Sequence, residues 1–285
     1  IKLSNSLASP STNNFYVGSI VIEYSNIPNV KAIYGEMNTW DTQYVQDMSS
    51  LFKGYSDFNE DISNWNTSNV TNMESMFWNA QIFNQNINDW NVSNVTNMKF
   101  MFMFTYAFNQ PLDKWNVSNV FDMNQMFNYS SFTQNVNDWI VSKVTNMVGM
   151  FANNKYNQPL NNWDVKNVNT MSSMFKKNTT FNKDISSWNV SNVTNMSSMF
   201  QGATSFNINI RTWKINENVV LKTMFQDASA MIEKYGPDGE NIISFGESPE
   251  YTPDINFFNY QGIYSPSNPD INYPLRDSIY VAIDD

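Results

Sequence analysis

The sequence predicts an α/β solenoid of about eight strand–helix coils, each of 24 or 25 residues, with capped ends. Three observations predict it. Tryptophan recurs at positions 40, 65, 90, 115, 139, 163, 188 and 213, at intervals of 25, 25, 25, 24, 24, 25 and 25 residues. Methionine or leucine stands 8 and 11 places after each of these tryptophans, with phenylalanine at place 12. Apolar residues recur two and five places after the tryptophan, as in Val92 and Val95 or Val190 and Val193. A fixed period of this length marks an array whose units bury their apolar side only by stacking on their neighbours.

Ahead of the repeat, residues 1–37 read as an amino-terminal cap. Residues 15–24 have strand composition and Ile33-Tyr34 precede the first tryptophan, while an exposed array end needs a cover. The repeat proper spans 38–231. Within a coil, tryptophan and the aliphatic residue two places on alternate with polar residues, as in a short strand with one buried face. The spacing 8, 11, 12, followed by Ala80, Ala107, Ala203 or Ala228, predicts a short helix with one face inward. Thr71, Thr96, Thr145 and Thr194 stand where that helix would begin and suit its unpaired amides, and Thr71 to Glu74 reads as a capping box. A phenylalanine 17 or 18 places on, replaced by Tyr156 in one coil, and an aliphatic residue after it form the return. The two 24-residue coils lose their residue in the helix exit, where a change of length costs least. In the last coil Asn218 replaces the aliphatic residue and Met231 the aromatic, so the pattern ends near 231. Residues 232–285 read as a carboxyl-terminal cap and extended arm, with turn signals at Gly236-Pro237-Asp238-Gly239 and Pro266 to Pro269, and a strand at Ser278 to Ile283.

Phe-Asn-Gln-x-x-x-x-Trp-Asn-Val-Ser-Asn-Val-Thr-Asn-Met-x-x-Met-Phe, seen at 83–102 and, with Phe121-Asp122 for Thr-Asn, at 108–127, resembles the repeat of BspA-like leucine-rich-repeat surface proteins, which are common among mycoplasma surface lipoproteins. The resemblance covers about 38–231. It implies a leucine-rich-repeat-like solenoid on a cell or particle surface, used in adhesion or partner contact, with no known chemistry.

Composition narrows the function classes. The 285 residues carry a net charge of −10, with no run of lysines, which opposes contact with nucleic acid or anionic lipid. No apolar stretch is long enough for membrane insertion, and residues 1–30 lack the charged start and apolar run of a signal peptide. Without an initiating methionine, the chain reads as a mature or trimmed segment. The absence of cysteine and histidine removes disulfides, thiolate nucleophiles, imidazole bases and most transition-metal sites. Carboxylate pairs such as Asp57 with Asp61, or Asp184 with a neighbour, suggest glycoside hydrolysis. The acids change place from coil to coil, however, and no catalytic residue is assigned. Gly236 to Asn241 and Asn268-Pro269-Asp270 offer oxygen ligands that calcium favours, yet ordinary turns account for both, so no metal or cofactor is expected. Asn-x-Ser/Thr triplets at Asn66, Asn69, Asn91, Asn94, Asn116, Asn189 and Asn192 match glycosylation acceptors and read as by-products of backbone geometry, as do asparagines stacked from coil to coil.

Two surfaces remain. The places one and three after each tryptophan, such as Asn91 and Ser93, predict a flat polar strand face. On the expected helix face, places 9, 10, 13 and 14 are mostly polar, but coils two to four put Trp78, Phe100, Met103, Phe104 and Tyr129 there. Stacked coils would gather these into one patch, and such patches mark contact sites. The expected function is a non-enzymatic, surface-displayed repeat protein making adhesive or protein–protein contact, at the cell surface or extracellular. Its partner would be a protein, a second copy or a glycan. The alternative is a structural subunit of a surface layer, filament or virion shell.

Overall fold

The computed structural model describes residues 31–32, 35–235, 251–253, 255–258, 262–263 and 273–274. Eight coils stack in parallel, joined by bridges that run from Asp47 through Asn72, Asn97, Asp122, Asn146, Thr170 and Asn195 to Val220, each seven places after a tryptophan. The coils are not built from a strand and a helix. Each tryptophan lies outside any strand, and places 9 to 14 are a run of turns. The α/β leucine-rich-repeat-like expectation is therefore wrong in its elements.

The backbone shows what replaces the helix. In the second coil the amides of Met73, Ser75, Phe77 and Asn79 donate along the stack to the carbonyls of Asn97, Lys99, Met101 and Met103. The alternate amides of Met76, Trp78 and Ala80 close local turns onto Met73, Ser75 and Phe77. The Glu74 amide donates to Asn72 Oδ1, so every amide in the segment has a partner, four axial and four local. Turning the chain this way needs a positive φ at the third residue of the turn, as in type II turns. Places 10 and 14 supply it in all eight coils, from Ser50 and Gly54 to Thr223 and Asp227.

Coil spacing explains why a helix cannot form. Helices side by side need about 8–10 Å between axes. The column of phenylalanines at place 12, from Phe52 to Phe225, repeats at 5.5 to 6.0 Å. Stacked tryptophans elsewhere in the coil are 6.4 to 6.5 Å apart. Both columns repeat more closely than neighbouring helices can pack, so the segment at places 9 to 14 is built from turns.

The core holds the residues that define the period. The place-12 rings stack on those at places 17 or 18, with Phe77 to Phe83 at 4.0 Å and Phe127 to Phe132 at 4.1 Å. The tryptophans from 65 to 213 and the methionine columns are buried. Each indole from Trp65 onward also donates to a carbonyl of the preceding coil, as Trp90 does to Ile62 at 3.1 Å and Trp163 to Val136 at 2.9 Å. Tryptophan therefore recurs both for its ring and for its N–H, which a buried site must satisfy.

The threonines expected to cap helices do something else. Thr71, Thr96, Thr145 and Thr194 donate their hydroxyls to carbonyls of the preceding coil. Glu74, read as the partner in a capping box, instead accepts from Asn97. Asparagine forms its own ladders. The Oδ1 of Asn59 accepts the backbone amide of Asn84, that of Asn84 the amide of Asn109, and that of Asn182 the amide of Asn207.

At the carboxyl end, α1 (Ser229–Tyr235) follows the last coil. Phe258 extends the tryptophan column by stacking on Trp213 at 6.4 Å, and Tyr251 accepts the amide of Phe225. Arg211 is buried there, its guanidinium over the rings of Tyr235 and Phe257. A short antiparallel pair, β1 (Gly262–Ile263) with β2 (Tyr273–Pro274), completes the described chain. Residues 15–24, Ile33-Tyr34, the turns at 236–241 and 266–270 and the strand at 278–283 lie outside the described residues.

Candidate contact surface

Axial hydrogen bonds set the turn segments of adjacent coils side by side, with Trp78 at place 13 of its coil and Phe104 and Tyr129 at place 14 of theirs. Trp78 meets Phe104 edge-on at 6.1 Å, and Phe104 stacks on Tyr129 at 5.0 Å. Three of the five expected residues thus form one continuous stripe across coils two to four. Trp78 and Phe104 are half-buried, while Tyr129 is 41% exposed. Met103 lies beside Phe104 in the chain, half-buried, and its carbonyl accepts the Asn79 amide. Phe100 stands four residues away from the stripe in the row at place 10, with the Lys99 ammonium 4.8 Å from its ring.

Sequence reading missed two members. Tyr106, 49% exposed, approaches Phe104 edge-on at 6.4 Å. It lies in the exit from the turns, outside the places tested for an outward face. Lys53 sits in the first coil with its ammonium 5.1 Å from the Trp78 ring, a cation–π contact worth about 0.5–1 kcal/mol at an exposed site.

Charge divides between two segments of the coil. Places 9, 10, 13 and 14 of the eight coils carry Lys53, Lys99, Lys176, Lys177 and Lys222 against Glu74 and Asp227. From five places before each tryptophan to one place after it there are nine carboxylates against four cations. The two segments lie in different parts of each coil, the first with an excess of lysines and aromatic rings, although Lys99 lies 4.0 Å from Glu74, and the second with an excess of carboxylates. In the acidic segment are two adjoining open hollows of about 370 and 210 Å³. Pro111, Asp113, Gln134 and Asp138 line the first, Ile140 and Asp164 the second, and Trp139 floors both. Ile140 is 60% exposed.

The supposed polar strand face is a row of tight turns. Asn66, Asn91 and Asn189 accept both the amide and the hydroxyl of the serine two residues on. The asparagine four places after the tryptophan donates to the preceding coil, as Asn94 does to Ser68 and Asn192 to Lys166. Local geometry therefore accounts for the recurring Asn-x-Ser/Thr triplets, and the amide groups of Asn69, Asn94 and Asn192 are already engaged.

Of the carboxylates that the sequence pairs, Asp61 accepts from Asn38 and from the Ser63 amide. The backbone amide and then the hydroxyl of Ser186 hold Asp184 below the usual carboxylate range. Among the described residues no group of three or more acidic side chains could hold a metal ion, and no helix is long and apolar enough to cross a membrane.

A family model described as a Mycoplasma protein of unknown function, DUF285, matches the chain twice in tandem, over residues 24–138 and 122–236. No curated protein matches it.

Proposed function

We propose that this chain, which belongs to the DUF285 family of Mycoplasma proteins, is a non-enzymatic repeat protein displayed at the cell surface or outside the cell, and that it works by protein–protein contact. The observation that carries the reading is the stripe of Trp78, Phe104, Tyr106 and Tyr129, set across three coils of the stack. Aromatic rings offer large contact areas at low cost in side-chain entropy and dominate interface energies. The coils beside the stripe carry Lys53, Gly54 and Ser56, or Ala152, Asn153 and Lys155, at the same places, so the aromatic residues are not a requirement of the fold. The resemblance to BspA-like proteins supports adhesion as the use of the contact.

A second reading, a structural subunit of a surface layer, filament or virion shell, is favoured by the separation of charge onto two segments of the coil. The test for the contact reading is Trp78→Asp combined with Phe104→Asp. Near-ultraviolet circular dichroism of the double variant should match that of the parent, while attachment to host cells and to itself is lost. A folded double variant that attaches as the parent does would refute the reading.

A further inference from the structure

We propose that the stripe's partner is a second copy of this chain, and that the stripe seats in the acidic hollows beside Trp139 of that copy. This rests on the contact reading above. The stripe is a row of rings with Lys53 at one end, and on the neighbouring row stands Lys99, whose ammonium lies 4.0 Å from Glu74. The hollows present a concave surface, with Asp113 and Asp138 on their walls, Asp164 at the edge paired with Lys166 at 2.9 Å, and exposed Ile140 as an apolar contact.

The two features overlap in height, with the hollows reaching about a coil further along the stack. The stripe spans coils two to four, and the hollows span the returns of coils three to five. Two copies side by side therefore bring lysines against carboxylates and rings against the hollows. Like sides of two copies would instead meet with like charge, which disfavours a symmetric dimer. The contact joins two different surfaces, so each added copy leaves one stripe and one hollow free, and the assembly grows as an open row.

The experiment is light scattering of the full chain over a concentration series, at low salt and again near 0.5 M, where screening shortens to a few ångströms. Mass should rise with concentration and the rise should weaken with salt. Lys53→Glu with Lys99→Glu in one variant, and Asp113→Lys with Asp138→Lys in another, should each weaken self-association about tenfold or more. An equimolar mixture of the two should restore it, because the reversed charges again oppose. Circular dichroism checks that each variant is folded.

A wild-type chain that stays monomeric throughout overturns the proposal. So does a mixture that fails to recover association. Loss of association on removing residues 264–285, with Asp113→Lys and Asp138→Lys without effect, assigns the acidic partner to the tail and also overturns it. If the chain is monomeric yet attaches to host cells through Trp78 and Phe104, this proposal fails and the contact reading stands. Self-association that survives Trp78→Asp with Phe104→Asp sinks both.

Discussion

Glycine against alanine at Lys177 separates a coil built from turns from one built on a helix. Lys177 is exposed, has φ +55°, and its amide donates along the stack to Gln201. At positive φ an alanine costs about 1–2 kcal/mol relative to glycine. Glycine's freer unfolded chain takes back about 0.4–1 kcal/mol. Lys177→Gly should therefore be more stable than Lys177→Ala by about 0.5–1 kcal/mol. In a helix the order reverses, with glycine about 1 kcal/mol worse. Ser173, φ +58°, offers a second site in the same coil. Changing both should separate the glycine and alanine forms by about 1–2 kcal/mol, or about 2–8 °C in melting temperature for a domain of this size. Gly202→Ala is the mirror case, since it has φ +70° and its added methyl would meet Lys177 Cγ at 3.2 Å; it should destabilise. Urea melts followed by tryptophan emission measure each form, because the tryptophan column runs through every coil. Alanine forms at 173 and 177 as stable as the glycine forms, or more so, would refute the turn-built coil.

Other substitutions probe the columns. Trp163→Phe keeps an aromatic ring but loses the indole hydrogen bond to Val136. It should cost about 1 kcal/mol from that bond, with a further loss from the smaller ring, read from the shift of the urea midpoint. Asn84→Ala leaves the half-buried Asn109 amide without its acceptor and should cost about 1–2 kcal/mol, whereas Asn84→Asp, which keeps an acceptor oxygen, should melt close to the parent at neutral pH. Tyr156 stands where other coils have phenylalanine. Burial pushes its phenol far above the ordinary value, opposed only by the Val136 backbone, which approaches it short of a well-aligned bond. The unfolded phenol ionises near pH 10 while the folded one stays neutral, so stability should fall as pH rises beyond about 10. Tyr156→Phe should remove that part of the alkaline loss, and equal alkaline melts for the two chains would exclude it.

The period and the core were legible because one chemical type occupies each interior place. Tryptophan, methionine and phenylalanine recur where the fold buries them, and Phe-Asn-Gln combines a core ring with the ladder asparagine. The element type was not legible, because apolar residues at 8, 11 and 12 suit a helix or consecutive turns equally. The discriminating signal was at places 10 and 14. Gly54, Gly149 and Gly202, with Asn79 and Asn153, favour positive φ, but Phe100, Phe104, Lys177 and Thr223 at the same places hide the pattern. Close stacking holds these residues in a conformation they do not prefer alone. The same stacking made the stripe readable, since Trp78, Phe104 and Tyr129 interrupt a polar row. Tyr106 escaped because the exit from the turns has no helical register to test.

The axial hydrogen bonds also give the array an electrical direction. In each of the first seven coils four turn amides point toward the following coil, whereas one amide of each later coil points back, at place 6 in coils two to seven, as in Thr96 donating to Thr71, and at place 7, Val220, in the eighth. Aligned peptide dipoles add, so the amino-terminal end of the stack is the negative pole and the carboxyl-terminal end the positive one. At that positive pole the amides of Thr223 and Phe225 take their acceptors from Thr252 and Tyr251. The chain that continues beyond it, residues 236–285, contains nine acidic residues and one arginine. Its charge therefore enters the molecule at the end whose field attracts anions.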